Sequence, residues 1–312
     1  MERLRVIGET VGYFTREEAF QAGLDDRSIN RALRTRLWRR VRNGAYTFSD
    51  LWPDREEDVH RLTARAAARK FGDAIATSHT TASIDHGLLV WGVDLSLVHM
   101  TRLDGGSGRT QAGVRHHEGV TVPGDLVRMD GRWVMNATRA AIETASLGSP
   151  ESGLVTLDSL LHLGRGDRAG LDTTFEYMQH WPEMAHVGIA IQLADALPES
   201  VGESRSRWLF FAQGLPNPEL QYHVYDGQGR LVGITDFGWP EHKLLGEFDG
   251  KVKYGRLLRP GEQPQDAVFR EKRREDLLCE TTGWRMVRLI WADLYVPDVT
   301  AARIRRLMRL AA

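Results

Sequence analysis

Hydrophobic positions recur with a helical period through most of this chain and alternate with a strand period in a few short runs. Between 14 and 23 the run opens with Thr15 and Glu18 three residues apart, a capping box, and Gly23 stops it. A second helix is predicted over 25–34, with Asp25, Asp26 or Ser28 as its cap. Residues 37–48 then alternate, with Asn43 and Gly44 as a turn, which predicts a hairpin. Helix, turn, helix and hairpin make a winged helix-turn-helix pattern over residues 1–50.

Residues 51–195 predict a mixed α/β segment. Helices are expected over 55–70, where acids come early and bases late as the helix dipole favours, and over 80–86. Strands are expected over 95–103 and 114–117, across a Gly/Ser loop at 104–108. Four further helices are expected over 136–147, 152–163, 171–180 and 187–196. This segment spaces the two ends or offers a partner surface.

Residues 196–312 have the most regular pattern. A helix over 199–213 precedes a strand over 219–226, and two apolar runs, 231–239 and 244–251, flank a four-residue turn as a hairpin. A helix over 266–280, a buried strand over 284–291 and an amphipathic helix over 298–310 complete the chain. The order is helix, three strands, helix, strand, and only the helical crossover between the last two strands requires parallel pairing.

The hairpin carries the candidate chemistry. Pairing symmetric about its turn sets Trp239 opposite Leu244 and Asp236 opposite Glu247. Strand period then places Asp249 on the same side as Glu247. Three carboxylates on one face repel unless a cation or a proton intervenes, and a hard divalent ion such as Mg2+ suits oxygen ligands. The alternative is an exposed acidic patch at a sheet edge.

Composition bears on this locally rather than globally. The 312 residues carry a net charge of −1, yet from Arg27 to Arg42 there are seven arginines and no acid. Arg27, Arg31 and Arg34 share a helix face, and Arg39, Arg40 and Arg42 follow on the hairpin. Such a face suits phosphate contacts, with one or two arginines reaching guanine edges; the alternative is a solvated basic helix. A single cysteine, Cys279, excludes an internal disulfide and a zinc-finger or iron–sulfur array. His116 and His117 are adjacent on a strand and face opposite ways, so they do not easily share an ion, while His79 and His86 read as structural. The N-terminus lacks an apolar signal core and no apolar run approaches the roughly 20 residues of a membrane span, so a soluble cytoplasmic protein is expected.

Two stretches resemble known families. Residues 15–24 and 38–46 are similar to the N-terminal winged helix of AbiEi-type antitoxins and related actinobacterial regulators, and 78–88 extends the likeness through Ser78, His79, Ala82, His86, Gly87 and Leu88. The resemblance implies DNA binding, often with autoregulation of an operon. A cognate toxin or operon partner protein is the further partner such a regulator could take, although the likeness does not by itself imply one. Residues 196–312 resemble the PD-(D/E)XK nuclease fold, closest to its Vsr-like branch, through Glu203, Asp236, Glu247, Asp249, Gly250 and the 283–288 strand.

The second resemblance implies phosphodiester hydrolysis with Mg2+ or Mn2+. Asp236 and Glu247 would be metal ligands, with Asp249 beside them and Glu203 adding a ligand or positioning water. The family's lysine normally stands two residues after the second acid, where this chain has Asp249. Lys251, re-aimed by a bulge at Gly250, or Lys253 could supply the cation. Lys272, Arg273 and Arg274 could touch the substrate backbone or form a solvated face with Glu271, Glu275 and Asp276.

The expected architecture is therefore an α/β multidomain protein: a winged helix-turn-helix at 1–50, a mixed α/β middle domain at 51–195, and a PD-(D/E)XK (αβββαβ) domain at 196–312. The expected function is DNA binding coupled to metal-dependent endonuclease activity. The alternative is a non-catalytic AbiEi-type antitoxin or autoregulator with a degenerate nuclease fold.

Overall fold

The computed structural model describes residues 1–250 and 264–309, with the backbone alone for 264–268 and 271. In chain order the elements are α1 (Glu2–Val11), β1 (Phe14–Thr15), α2 (Arg16–Gln21), α3 (Asp26–Arg34), β2 (Trp38–Arg42) and β3 (Ala45–Phe48). Next come α4 (Glu56–Ala68), β4 (Ile75–Thr77), α5 (His79–Asp85), β5 (Val98–Arg102), β6 (Arg109–Gln111), β7 (Val114–His117), β8 (Leu126–Met129) and β9 (Arg132–Met135). Four helices follow: α6 (Ala137–Ala145), α7 (Pro150–His162), α8 (Arg168–Met178) and α9 (Val187–Leu193). The chain ends with α10 (Val201–Ala212), β10 (Glu219–Tyr225), β11 (Leu231–Trp239), β12 (Leu244–Phe248), α11 (Pro264–Thr282), β13 (Arg285–Leu289) and α12 (Pro297–Met308). Mixed sheets and packed helices make it an α/β protein.

The chain divides into two compact units, residues 1–149 with 165–188, and residues 150–164 with 189–312. Helix α7 therefore packs with the C-terminal unit, although residues 51–149 and 165–188 do not. Leu154, Val155, Leu157 and Leu160 of α7 are buried, and two ion pairs tie the helix to α10. Asp158 of α7 is fully buried and takes Arg207 of α10 at 2.6 Å, and Glu151 takes the equally buried Arg205 at 2.7 Å. Burial pushes the Asp158 carboxyl up to about 6 against the pull of Arg207.

The first unit begins with α1–α3 around a small antiparallel sheet of order β1-β3-β2. The Thr15/Glu18 capping box forms, and Asp25 caps α3 by accepting from the Ser28 amide at 2.8 Å. Phe14, Trp38, Tyr46 and Phe48 fill the core with Leu4 of α1, a helix the sequence pattern does not predict. The rest of the unit is a six-stranded mixed sheet of order β6-β7-β5-β4-β9-β8 with α4, α5 and α6 packed beside it. Here β5 runs parallel to β7 and β4 parallel to β9.

The second unit has a four-stranded sheet of order β10-β11-β12-β13. Its hairpin has the register read from the sequence, with Trp239 opposite Leu244. Strands β12 and β13 are parallel, joined through α11, and this sets Glu247 beside Arg288. Phe210, Phe237, Trp239, Leu289 and Ile304 form the core between sheet and helices. Gly202 lets α10 approach the end of β12, because a Cβ there would lie 1.9 Å from the Phe248 ring. That approach carries Glu203 toward the hairpin. Gly202→Ala is expected to cost about 1–3 kcal/mol through overpacking, read as a lower urea midpoint at unchanged m-value.

Candidate functional site

Two sites emerge from the two units, each described within its own unit. On the first, the exposed arginines of α3 form a basic face. Arg27, Arg31 and Arg34 line one shallow groove together with Asn30, Leu33 and Arg40. The acids at the start of α3 do not neutralise it. Asp25 is committed to the cap, and Asp26 is held at 2.6 Å by Arg16, which keeps its carboxyl below the usual range. Among the described residues, Arg27, Arg31, Arg34 and Arg40 make no ion pair, so their charge faces solvent.

Two predicted arginines leave this group. Arg39 lies over the Trp52 ring, 5.1 Å from its centroid. A bulge between Arg40 and Arg42 breaks the strand alternation. Arg42 is half-buried and lines a separate cleft with Asn43, Arg69, Lys70, Phe71 and His116, where burial lowers its guanidinium pKa. His116 packs its ring on Phe71 while His117 faces away, as strand period requires. His86 has Nε2 2.7 Å from the Met135 carbonyl, a structural contact.

On the second unit, Glu203, Asp236 and Glu247 gather around the base of the hairpin. Glu203 stands in the first turn of α10, fixed by its neighbours: the Ser200 hydroxyl donates to Oε1 at 2.6 Å and the Glu199 amide to Oε2 at 3.0 Å. Asp236 accepts from the Phe248 amide at 2.7 Å. Burial first, then the charges of Glu203 and Glu247, push the Asp236 carboxyl up to about 7, against the Phe248 hydrogen bond and Arg274. Glu247 is buried between two guanidiniums, Arg274 at 2.6 Å and Arg288 at 3.2 Å.

Asp249 is drawn to Arg288 at 3.5 Å, and its amide donates to the Leu289 carbonyl at 2.7 Å. It thus stands toward β13, beside the cation that also holds Glu247. Lys251, expected to supply the missing positive charge, lies outside the described residues, as does Lys253. Arg274 and Arg288 are the cations that the described part of the site contains. Arg274 was legible only as one charge in a charged helix. Arg288 had a sharper signal, since the parallel register of β12 and β13 makes it the direct neighbour of Glu247.

The donor chemistry of these carboxylates suits a hard divalent ion, and Asp236 is raised chiefly by burial, with the charges of Glu203 and Glu247 adding to it. Both Glu247 oxygens are engaged by arginine, so Asp236 and Glu203 are the donors less committed to cations. The set is loose: among the described residues, only His79, His99 and His117 bring three ligand atoms within 4.8 Å of one another.

Comparison with known proteins gives relatives without an assigned activity. Two uncharacterised proteins of Mycobacterium tuberculosis, from strains CDC 1551 / Oshkosh and ATCC 25618 / H37Rv, are each 28% identical to this chain over 239 residues, covering 75% of it and 83% of the relative. No protein-family model matches the chain. Among the described residues, no helix is long and apolar enough to cross a membrane.

Proposed function

We propose that this is a cytoplasmic DNA-binding protein whose C-terminal unit is a Vsr-like PD-(D/E)XK domain that hydrolyses phosphodiester bonds with Mg2+ or Mn2+. The observation that carries the reading is the gathering of Glu203, Asp236 and Glu247 on a helix–three strands–helix–strand core. In this reading residues 1–50 are a winged helix-turn-helix whose α3 presents Arg27, Arg31 and Arg34 to the phosphate backbone, with Arg40 beside them. The metal would be held by Asp236 and Glu203, joined by Glu247 when an arginine releases it, and would polarise the scissile phosphate and activate water. Asp236 is the residue on which this turns. Arg274 and Arg288 lie where a developing negative charge could be neutralised, the task of the family's lysine.

The test is cleavage. Purified protein should nick plasmid DNA only with Mg2+ or Mn2+, and Asp236→Asn should slow nicking at least about 10^3-fold. Equal nicking by wild type and variant would assign the activity to a contaminant and end the reading.

One observation favours a second reading. Glu247 is already neutralised by two arginines, as expected of a nuclease fold that has lost its metal and acts as a regulator of AbiEi type. That reading predicts tight operator binding with no divalent-dependent cleavage, and it allows an operon partner protein such as a toxin. Both readings need the α3 face. Arg31→Ala with Arg34→Ala should weaken DNA binding across sequences and reduce the log-affinity against log-salt slope by about 2. Fluorescence anisotropy at several salt concentrations measures this, and an unchanged slope would remove α3 from the interface.

A further inference from the structure

Three imidazoles from three separate elements meet within the first unit. His79 opens α5, His99 lies in β5, and His117 ends β7. The parallel pairing of β5 and β7 sets Thr101 beside His117, so strand period turns His99 and His117 to one side of the sheet. His79 reaches them from the β4–α5 junction, where its φ of 49° lies in the left-handed region that side chains rarely adopt. His99 Nδ1 is 2.9 Å from His117 Nε2, and the His79 ring stacks on His117 with centroids 3.8 Å apart. One ring nitrogen from each residue lies within 4.8 Å of the other two.

The surroundings fix the backbone at His79 and His99, and they orient the His79 ring as a metal ligand's ring is usually oriented. The His79 amide donates to Glu143 Oε2 at 3.1 Å, and its Nδ1 lies 3.0 Å from Ser78 Oγ and 3.4 Å from the same carboxylate. The His99 amide donates to Thr81 Oγ1 at 2.8 Å, and that hydroxyl is in turn 2.8 Å from His60 Nε2.

We propose that His79, His99 and His117 form a binding site for a late first-row divalent metal ion of the Zn2+ class, with a fourth position open to water. Three imidazoles are a borderline-soft set that prefers such an ion over Mg2+, so the site is chemically distinct from the carboxylates of the second unit. It pins the start of α5 to β5 and β7. Neither sequence relatives nor the nuclease reading assigns it, and it stands whether or not that reading does.

The test uses untagged full-length protein stripped with a chelator. Titration with Zn2+ against a chromophoric competitor should show one equivalent retained by the protein. His99→Ala and His117→Ala should each weaken retention more than about tenfold, while Asp236→Asn should leave the stoichiometry unchanged. Co2+ added to the wild type should give the intense visible bands of a four-coordinate, nitrogen-ligated ion, a readout that does not depend on the variants folding. Absence of those bands, or retention equal to wild type in a folded His99→Ala/His117→Ala double variant, would overturn the proposal.

Discussion

Arg139→Ala is expected to destabilise the first unit by about 3–5 kcal/mol. Arg139 lies in α6 with its side chain 1% exposed, and it holds two buried carboxylates at once. Its Nε donates to Glu143 at 2.8 Å and its Nη1 to Asp125, while Nη1 also reaches the Val120 carbonyl at 3.0 Å. The guanidinium sits over the Trp181 ring, 5.1 Å from its centroid. Truncation leaves Glu143 and Asp125 buried without a cation, and that uncompensated charge is what makes breaking a buried pair expensive. Arg128→Ala is the contrast. Arg128 and Asp73 are both well exposed, at 44% and 70%, so losing their contact should cost no more than about 1 kcal/mol. Urea unfolding followed by tryptophan fluorescence separates the two; equal midpoints for both variants would show that the Arg139 network contributes little. Glu143 also takes the His79 amide, so Arg139→Ala should loosen the histidine trio as well.

What could be read from the sequence was local. The Thr15/Glu18 box and the Asp25 cap are side-chain-to-backbone bonds three residues apart, and they form as written. The Trp239–Leu244 register follows from a tight turn between two apolar runs, and the parallel β12–β13 pair follows from the helix between them. Strands β4, β6, β8 and β9 were not legible, because three or four residues hold too little period to stand out and their pairing is non-local. Helix α1 was missed for a related reason: Leu4 and Gly8 are its only fully buried positions, so it shows little apolar stripe.

The candidate sites divide in the same way. Asp236 and Glu247 were found because one hairpin carries both, and the α3 arginines because one helix face does. The partners were not found, because they arrive from elsewhere in the fold. Arg288 comes from a strand beyond the crossover, Arg274 from the intervening helix, and Arg42 is turned off the basic face by a bulge. The histidine trio needed three elements whose pairing no local pattern reveals. His117 alone, beside His116, read as a ligand without companions, and its companions lie 18 and 38 residues upstream, as the positions of His99 and His79 give.

Asp236→Asn is expected to make the second unit more stable at pH 8 while removing its proposed activity. The Asp236 carboxyl is raised to about 7, chiefly by burial and then by Glu203 and Glu247. The sign follows from linkage. Below about pH 4 the group is neutral folded and unfolded, so asparagine changes little. Between about pH 4 and 7 the unfolded chain releases a proton that the folded chain keeps, and the wild type loses stability as pH rises. Above about pH 7 the penalty is complete, with an upper bound of about 4 kcal/mol from 1.36 kcal/mol per pKa unit; residual solvent access brings the expected gain to about 1–3 kcal/mol. Asparagine preserves the acceptor for the Phe248 amide, so the gain is not cancelled by a lost hydrogen bond. Denaturation midpoints at pH 4.5 and pH 8 measure this: the variant should match the wild type at the lower pH and exceed it at the higher. Mg2+ should narrow the gap at pH 8 by stabilising the wild type alone, since the cation relieves the repulsion that asparagine removes. A variant less stable than wild type at pH 8 would mean that Asp236 is held by partners rather than strained by neighbours, and the metal assignment would lose its physical basis.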